Sequence, residues 1–186
     1  MHTVKLIAAT ALLPLVFGSL PATAATWDVD EAESKLGFEV KQGDGTVKGT
    51  FPDWSASIDL DPTALETAVI TAQVQTTTIN TGVAEVDSML PGADFFDVNT
   101  FPVAEFLSQN VRLVGGNNYE ADGTLSVRGI VHPAKLTFTL DIDGNKAHAV
   151  GEAKVKRLDY DIGKTVNSDT LGNVVTVSFD LKAVQQ

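Results

Sequence analysis

Alternation of apolar and polar residues, sustained from Trp27 to the C-terminus, is the feature that most narrows what this chain can fold into. Its clearest run sets Leu136, Phe138, Leu140 and Ile142 against Lys135, Thr137, Thr139 and Asp141, and a period of two places the two sets on opposite faces of a β-strand. The last segment repeats the pattern with Val175, Val177, Phe179 and Leu181 facing away from Thr176, Ser178, Asp180 and Lys182. Ile70, Ala72 and Val74 alternate with polar neighbours in the same way, as do Ile58 and Leu60. Strands with one wet face belong to antiparallel sheets, because parallel strands are covered on both sides.

Turn chemistry separates the runs. Gly43-Asp44-Gly45, Asp61-Pro62, Gly115-Gly116-Asn117-Asn118 and Asp143-Gly144-Asn145 stand where hairpin connections are expected. The spacing predicts an all-β meander of about eight or nine strands, a sandwich or a barrel. Residues Val83 to Leu90 break the alternation: Val83, Val86 and Leu90 recur at helical spacing and Pro91-Gly92 follows, so a short helix is expected there. An aromatic cluster comes next, Phe95-Phe96 and then Phe101, between strand regions rather than inside one. It serves either as a plug closing one end of the core or as a lid touching a ligand.

The segment Lys146 to Tyr160 reads as one strand with Ala147, Ala149, Gly151 and Ala153 on one face. An eight-stranded barrel is just wide enough to be filled by side chains or to hold one small ligand, so small inward residues shift the balance toward a cavity. The same stripe facing outward, or packed on the short helix, is the competing reading, and periodicity does not choose because Val150 shares the parity of His148, Glu152 and Lys154.

At the N-terminus, Lys5 precedes an apolar stretch from Leu6 to Leu20, and Ala22-Thr23-Ala24 has the small-x-small pattern of a signal-peptidase site. Broken by Pro14 and Gly18, the stretch falls short of the roughly 20 residues of a spanning helix. Residues 1–24 are therefore read as a signal peptide for export to the periplasm, and 25–186 as one domain. The full chain carries a formal net charge of −11, one unit more acidic once Lys5 is removed. Such a surface repels nucleic acid. With no cysteine, disulfides, thiolate metal sites and cysteine nucleophiles are excluded.

Catalytic motifs are sparse. His132 and His148 are the histidines beyond the leader and lack helical H-x-x-x-H spacing, so no metal set is expected. His132, before Pro133, reads as a turn residue. Asp141, Asp143, Gly144 and Asn145 have the composition of a calcium loop, but the glycine comes too early and no closing Glu follows, so a hairpin turn accounts for them. No serine-hydrolase or phosphate-loop motif occurs. Asp87, Asp94 and Asp97 cluster near the aromatic segment, where caps and turns are the common role of aspartate. Arg128 and Arg157 adjoin apolar strand segments, where a guanidinium pairs either with a phosphate or carboxylate head group or with an outward carboxylate.

These residues together resemble the YceI-like family of exported lipid- or polyisoprenoid-binding proteins. The similarity begins with Trp27-Asp28-Val29-Asp30 and Ser34-Lys35-Leu36-Gly37-Phe38 and continues through Gly49-Thr50-Phe51 and Ile58-Asp59-Leu60-Asp61-Pro62. It is strongest at Asp94-Phe95-Phe96-Asp97, Phe101-Pro102 and Ala104-Glu105-Phe106, and returns at Gly123 to Ile130 and Arg157 to Gly163. The resemblance implies an extended antiparallel eight-stranded, lipocalin-like barrel whose channel takes an isoprenoid or fatty chain. Phe38, Phe51, Phe95, Phe96, Phe101 and Phe106 are then expected in the channel or its mouth, Ala149 and Gly151 along its wall, and Arg128 or Arg157 near a polar head group. Glu33 and Gln42 stand where many members carry histidine. That variant resembles members encoded or fused with cytochrome b561-type membrane proteins, which raises an isoprenoid quinone as ligand and the membrane cytochrome as a transient partner.

Three functions follow as expectations: a carrier of a long apolar lipid, with no catalytic residues, metal or cofactor; a quinone-binding accessory to a membrane cytochrome; and an enzyme using Asp94 or His132 as acid or base on a bound lipid. Pairing into a homodimer is expected only if the barrel leaves strand edges open.

Overall fold

The structure, a computed structural model, describes residues 25–186; the expected signal peptide lies outside them. Ten strands follow in chain order: β1 (Thr26–Val29), β2 (Lys35–Gln42), β3 (Gly45–Thr50), β4 (Trp54–Asp59), β5 (Val69–Gln75), β6 (Val103–Gly115), β7 (Asn118–Val127), β8 (Ile130–Asp143), β9 (Lys146–Lys156) and β10 (Leu171–Gln185). One short helix, α1 (Ala84–Met89), falls where the break in alternation placed it.

All ladders are antiparallel, and they run β1-β4-β5-β6-β7-β8-β9-β10 and back to β1. Ten strands thereby fill eight positions, because β10 is long enough to carry two partners end to end. Its first part pairs with β2, from Leu171 opposite Gln42 to Asp180 opposite Lys35, and its last residues pair with β1, Ala183 opposite Val29 and Gln185 opposite Trp27. Strand β3 lies beside β2, and β4 beside β1. The result is the closed antiparallel barrel expected. Closure satisfies backbone donors and acceptors around the ring; the outer edge of β3 is left with a single bridge, Thr50 to Asn80.

The inward faces follow the alternation. Leu136, Phe138 and Leu140 of β8, Val175, Val177, Phe179 and Leu181 of β10, and Ile70, Ala72 and Val74 of β5 all point to the interior. On β9 the structure settles the parity: Ala147, Ala149 and Ala153 face inward, while Val150 is exposed and His148 reaches Asp180 on the outer wall, 2.7 Å away.

Tight turns carry Gly43, Gly116 and Gly144 at left-handed φ values of 53°, 59° and 61°, as hairpin geometry demands. Four local expectations are corrected. Strand β9 stops at Lys156, and Arg157–Tyr160 form a 3-10 turn. Arg128 does not sit in a strand; with Gly129 it makes the β7–β8 turn, both at positive φ. His132 lies within β8 opposite Leu125 rather than at a turn. After Asp61-Pro62 the chain makes a 3-10 turn, Leu65–Thr67, before β5, because the Asp61 carboxylate accepts the amide and hydroxyl of Thr63 and starts a local turn instead of a hairpin.

The end away from α1 is closed by packing. Trp27 is buried and its indole N–H donates to the Leu60 carbonyl at 2.9 Å, Tyr119 stacks on Phe138 with centroids 5.6 Å apart, and Ala121 is fully buried between them. Opposite a bulge between Ser108 and Asn110, Gly123 brings β7 so near β6 that a Cβ there would stand 2.2 Å from the Leu107 carbonyl oxygen. Gly123→Ala is expected to destabilise the protein by about 1–3 kcal/mol, the usual scale of overpacking. Urea unfolding checks this, and unchanged stability would mean that the wall tolerates separation of these strands.

Candidate functional site

A cavity of about 610 Å³ occupies the barrel interior. On β10 its lining runs from Leu171 to Ala183; at about 3.3 Å per residue and a strand tilt of about 40°, this spans about 30 Å of the axis. The cavity is therefore an elongated channel along the barrel axis rather than a rounded chamber. The side chains around it are apolar except Gln42, Thr76, Thr81, Asp94, Arg157 and Thr165. Four of these, Gln42, Thr81, Asp94 and Thr165, come from loops or strand ends on the α1 side, so the polar lining gathers at one end and the rest of the wall is hydrocarbon.

That end is covered by the segment from Thr76 to Phe101. Thr76 is buried, its hydroxyl donating to the Pro102 carbonyl at 2.9 Å. Thr50 and Asn80 exchange two backbone hydrogen bonds, 2.8 and 3.0 Å. Asp87 accepts the Thr81 amide and hydroxyl at 2.7 and 2.6 Å, and these bonds hold its carboxyl below the usual range. Asp87 is thus a turn former. Val86, Met89 and Leu90 of the α1 region line the cavity, while Val83 and Met89 also meet solvent. The aromatic segment closes the mouth, and Phe95 and Phe96 line the cavity beneath it.

Arg157 is 2% exposed and directs all five N–H groups at backbone carbonyls. Nε donates to Gly172, Nη1 to Ile162 and Gly163, and Nη2 to Val166 and Leu171, at 2.6–3.0 Å. The β9–β10 connection is wound around this side chain. Burial lowers its pKa from the ordinary arginine value, and a guanidinium with five acceptors keeps its proton. Arg128 does a similar task from the neighbouring turn: Nη1 donates to the carbonyls of Phe95 and Asp161, tying the lid to the β9–β10 connection, and the Gly163 amide donates to the Asp94 carbonyl at 2.6 Å beside it. The three non-glycine residues at left-handed φ among those described, Asp97, Arg128 and Asp161, all lie in these mouth loops, where packing holds strained conformations.

Of the expected ligand-contacting residues, Phe38, Phe51, Phe95, Phe96, Phe106, Ala149 and Arg157 line the cavity. Phe101, Arg128 and Gly151 do not. The Phe101 ring packs on Gly129, whose Cβ would stand 3.0 Å from it; Arg128 is committed to the lid; and the wall at Gly151 is covered by Phe138 and Phe179. Asp94 is exposed at the mouth, and His132 contacts the Asp159 carbonyl at 3.0 Å and the edge of Tyr160; the two do not share a site. Trp27, Trp54 and Leu60 line the cavity without having been singled out, although their strand parity was readable. Thr165 and Val166 lie in an irregular connection that carries no periodic signal.

A family model described as a YceI-like domain matches residues 27–183. A "UPF0312 protein" of Pseudomonas savastanoi pv. phaseolicola is 28% identical over 143 residues, covering 75% of this chain and 74% of that protein. Another of Azotobacter vinelandii is 27% identical over 169 residues, covering 86% and 88%. Among solved structures, Burkholderia cenocepacia BcnA is similar with a TM-score of 0.79 at 25% identity, covering 83% of this chain and 99% of that one. A polyisoprenoid binding domain from Saccharophagus degradans, described as implicated in plant cell wall breakdown, shares the fold with a TM-score of 0.67 at 16% identity, covering 88% of this chain and 99% of its own.

Arg157→Met is expected to lower stability by about 3 kcal/mol or more, since buried carbonyls lose charged donors worth roughly 1.5–3 kcal/mol each. Urea unfolding measures the loss, and amide exchange is expected to quicken first in residues 157–172. A stability change below about 1 kcal/mol would mean that the carbonyls find other donors.

Proposed function

The chain belongs to the YceI-like family, and from this premise we propose that it is a periplasmic carrier holding one elongated apolar lipid, a polyisoprenoid, in its barrel channel. The observation that carries the reading is the cavity, about 610 Å³, elongated along the barrel and hydrocarbon along most of its wall. Burial contributes about 0.8 kcal/mol per methylene, whereas association costs roughly 4–15 kcal/mol. Around ten buried methylenes therefore only begin to offset that cost, and a long tail is what makes the complex tight. The polyisoprenoid-binding description of the Saccharophagus degradans relative supports the same choice. So does the hydrophobic leader-like stretch at the N-terminus for the compartment. Binding, rather than catalysis, accounts for the site.

One observation favours an uncharged head group, and with it the quinone reading. Arg157, the cation lining the described cavity, has its N–H groups engaged, while the Asp94 carboxylate stands at the mouth. A prenyl diphosphate would meet the Asp94 carboxylate and no free guanidinium, whereas a quinone or polyprenol carbonyl or hydroxyl finds Gln42, Thr81 and Thr165. Delivery to a membrane cytochrome of the b561 type is the accessory role that fits such a ligand.

Native mass spectrometry of protein from its own periplasm, with solvent extraction, is expected to yield one isoprenoid per chain. In competition, an isoprenoid quinone should displace the matching prenyl diphosphate with at least about tenfold preference, equivalent to about 1.4 kcal/mol. Protein that stays empty when offered such lipids would remove the carrier reading, and a preference for the diphosphate would remove the quinone. N-terminal sequencing of the same sample is expected to begin at Ala25; an intact Met1 would overturn export by cleavage.

A further inference from the structure

Side chains can fill an eight-stranded barrel, and eight phenylalanines fall within residues 25–186, yet a cavity remains. The reason lies in where the inward rings rest. Phe38 faces Gly49 across the β2–β3 ladder, and a Cβ at Gly49 would stand 2.4 Å from the ring atoms Cε1 and Cζ. Phe138 and Phe179 flank Gly151 from either side, on β8 and β10, and a Cβ at Gly151 would meet Phe138 Cβ at 2.5 Å and Phe179 Cζ at 2.6 Å. Both glycines share the inward parity of cavity-lining neighbours, Val47 on β3 and Ala149 and Ala153 on β9. The rings of Phe38 and Phe179 are folded sideways into the space of a missing side chain, while the Phe138 ring stacks on Tyr119 beside them.

The register places these rings in the path of a ligand. Phe138, Gly151 and Phe179 form one row of the wall; Leu136, Ala153 and Val177 form the next toward the mouth, and Leu140, Ala149 and Leu181 the next away from it. The cavity is lined on both sides of the aromatic row, so a chain reaching the far half must pass it. Phe38 lies opposite Val177, one row nearer the mouth.

We propose that Phe38 and Phe179, seated on Gly49 and Gly151, set the bore of the channel together with the neighbouring Phe138 and are its specificity-determining residues: they admit a slender chain and exclude fused-ring lipids. This rests on the carrier reading and adds to it which lipids are refused and by which atoms. Gly151 also lies 2.4 Å, measured from the same Cβ position, from the Thr137 carbonyl, so a side chain there would strain the wall itself. At Gly49 the two nearest atoms are the far end of a flexible ring, and the one backbone atom, the Asn80 carbonyl oxygen, stands further off at 2.9 Å against 2.4 Å for the Thr137 oxygen at Gly151, which makes Gly49 the less strained position to test.

Binding of solanesol, a long polyprenol, and of cholesterol, a rigid four-ring probe, is measured for the full mature chain by native mass spectrometry and by titration, with melting curves run alongside. Gly49→Ala is expected to weaken solanesol binding about tenfold or more as the Phe38 ring turns into the bore, the scale of a modest overpacking penalty. Gly49→Ala combined with Phe38→Leu is expected to restore it. Phe179→Leu, which only removes atoms, is expected to gain cholesterol binding that the wild type lacks. A folded Gly49→Ala that binds solanesol like the wild type, or a Phe179→Leu that still refuses cholesterol, overturns the assignment while leaving the carrier reading intact; should Gly49→Ala fail to fold, Phe179→Leu alone decides. Wild-type protein that binds no solanesol overturns both.

Discussion

Everything in this molecule depends on the closure of the backbone hydrogen-bond ring through β10. By pairing with β9 along one edge, and with β2 and then β1 along the other, this strand joins the two ends of the meander. A sheet closed on itself needs no second layer to satisfy its edges. Its interior is thereby released from the duty of a solid core: the wall is held by ladders and by side chains packed along it. Solid packing is kept where the ring is narrowed, around Trp27, Leu60, Ala121 and Tyr119.

The mouth is governed by a different interaction. A ring of strands does nothing to order the long connections at its rim, and here two guanidiniums do so by gathering carbonyl oxygens. Arg157 winds the β9–β10 connection around itself, and Arg128 ties that connection to the lid at Phe95. Charged donors make strong hydrogen bonds, and a buried guanidinium tolerates desolvation only when its donors are engaged. The functional consequence is electrostatic. Both guanidiniums at the mouth serve the scaffold, and the other polar side chains that line the cavity there are neutral or acidic.

Between mouth and floor, glycine and phenylalanine act as pairs. The pairing recurs outside the channel proper, where Phe101 rests against Gly129 and Phe95 against Gly163, so the same device that keeps rings off the axis also fastens the lid to the rim. The channel is thus kept slender by packing rather than by a scarcity of bulky residues.

Alternation and turn spacing by themselves determined an antiparallel all-β meander, sandwich or barrel, with wet and dry faces on most of its strands, and the lapse at Val83–Leu90 determined the helix, because these are local periodicities that any sheet must respect. Five of the six phenylalanines picked out in the sequence do line the cavity; Phe38 and Phe106 do so from inward strand positions, which face the same space whatever their neighbours are, whereas Phe51, Phe95 and Phe96 reach it from connections. What only the tertiary structure decided is the use of side chains whose partners lie far along the chain or in irregular segments. Whether Arg157 offers its donors to a ligand or to carbonyls depends on where Gly163, Val166 and Leu171 are brought. Whether Gly151 opens a space or is covered depends on Phe138 and Phe179 arriving on both sides of it through the ladder register. Periodicity carries the direction of a side chain from its own strand, but the occupancy of the space it points into is set by other strands, and only the closed ring brings those together.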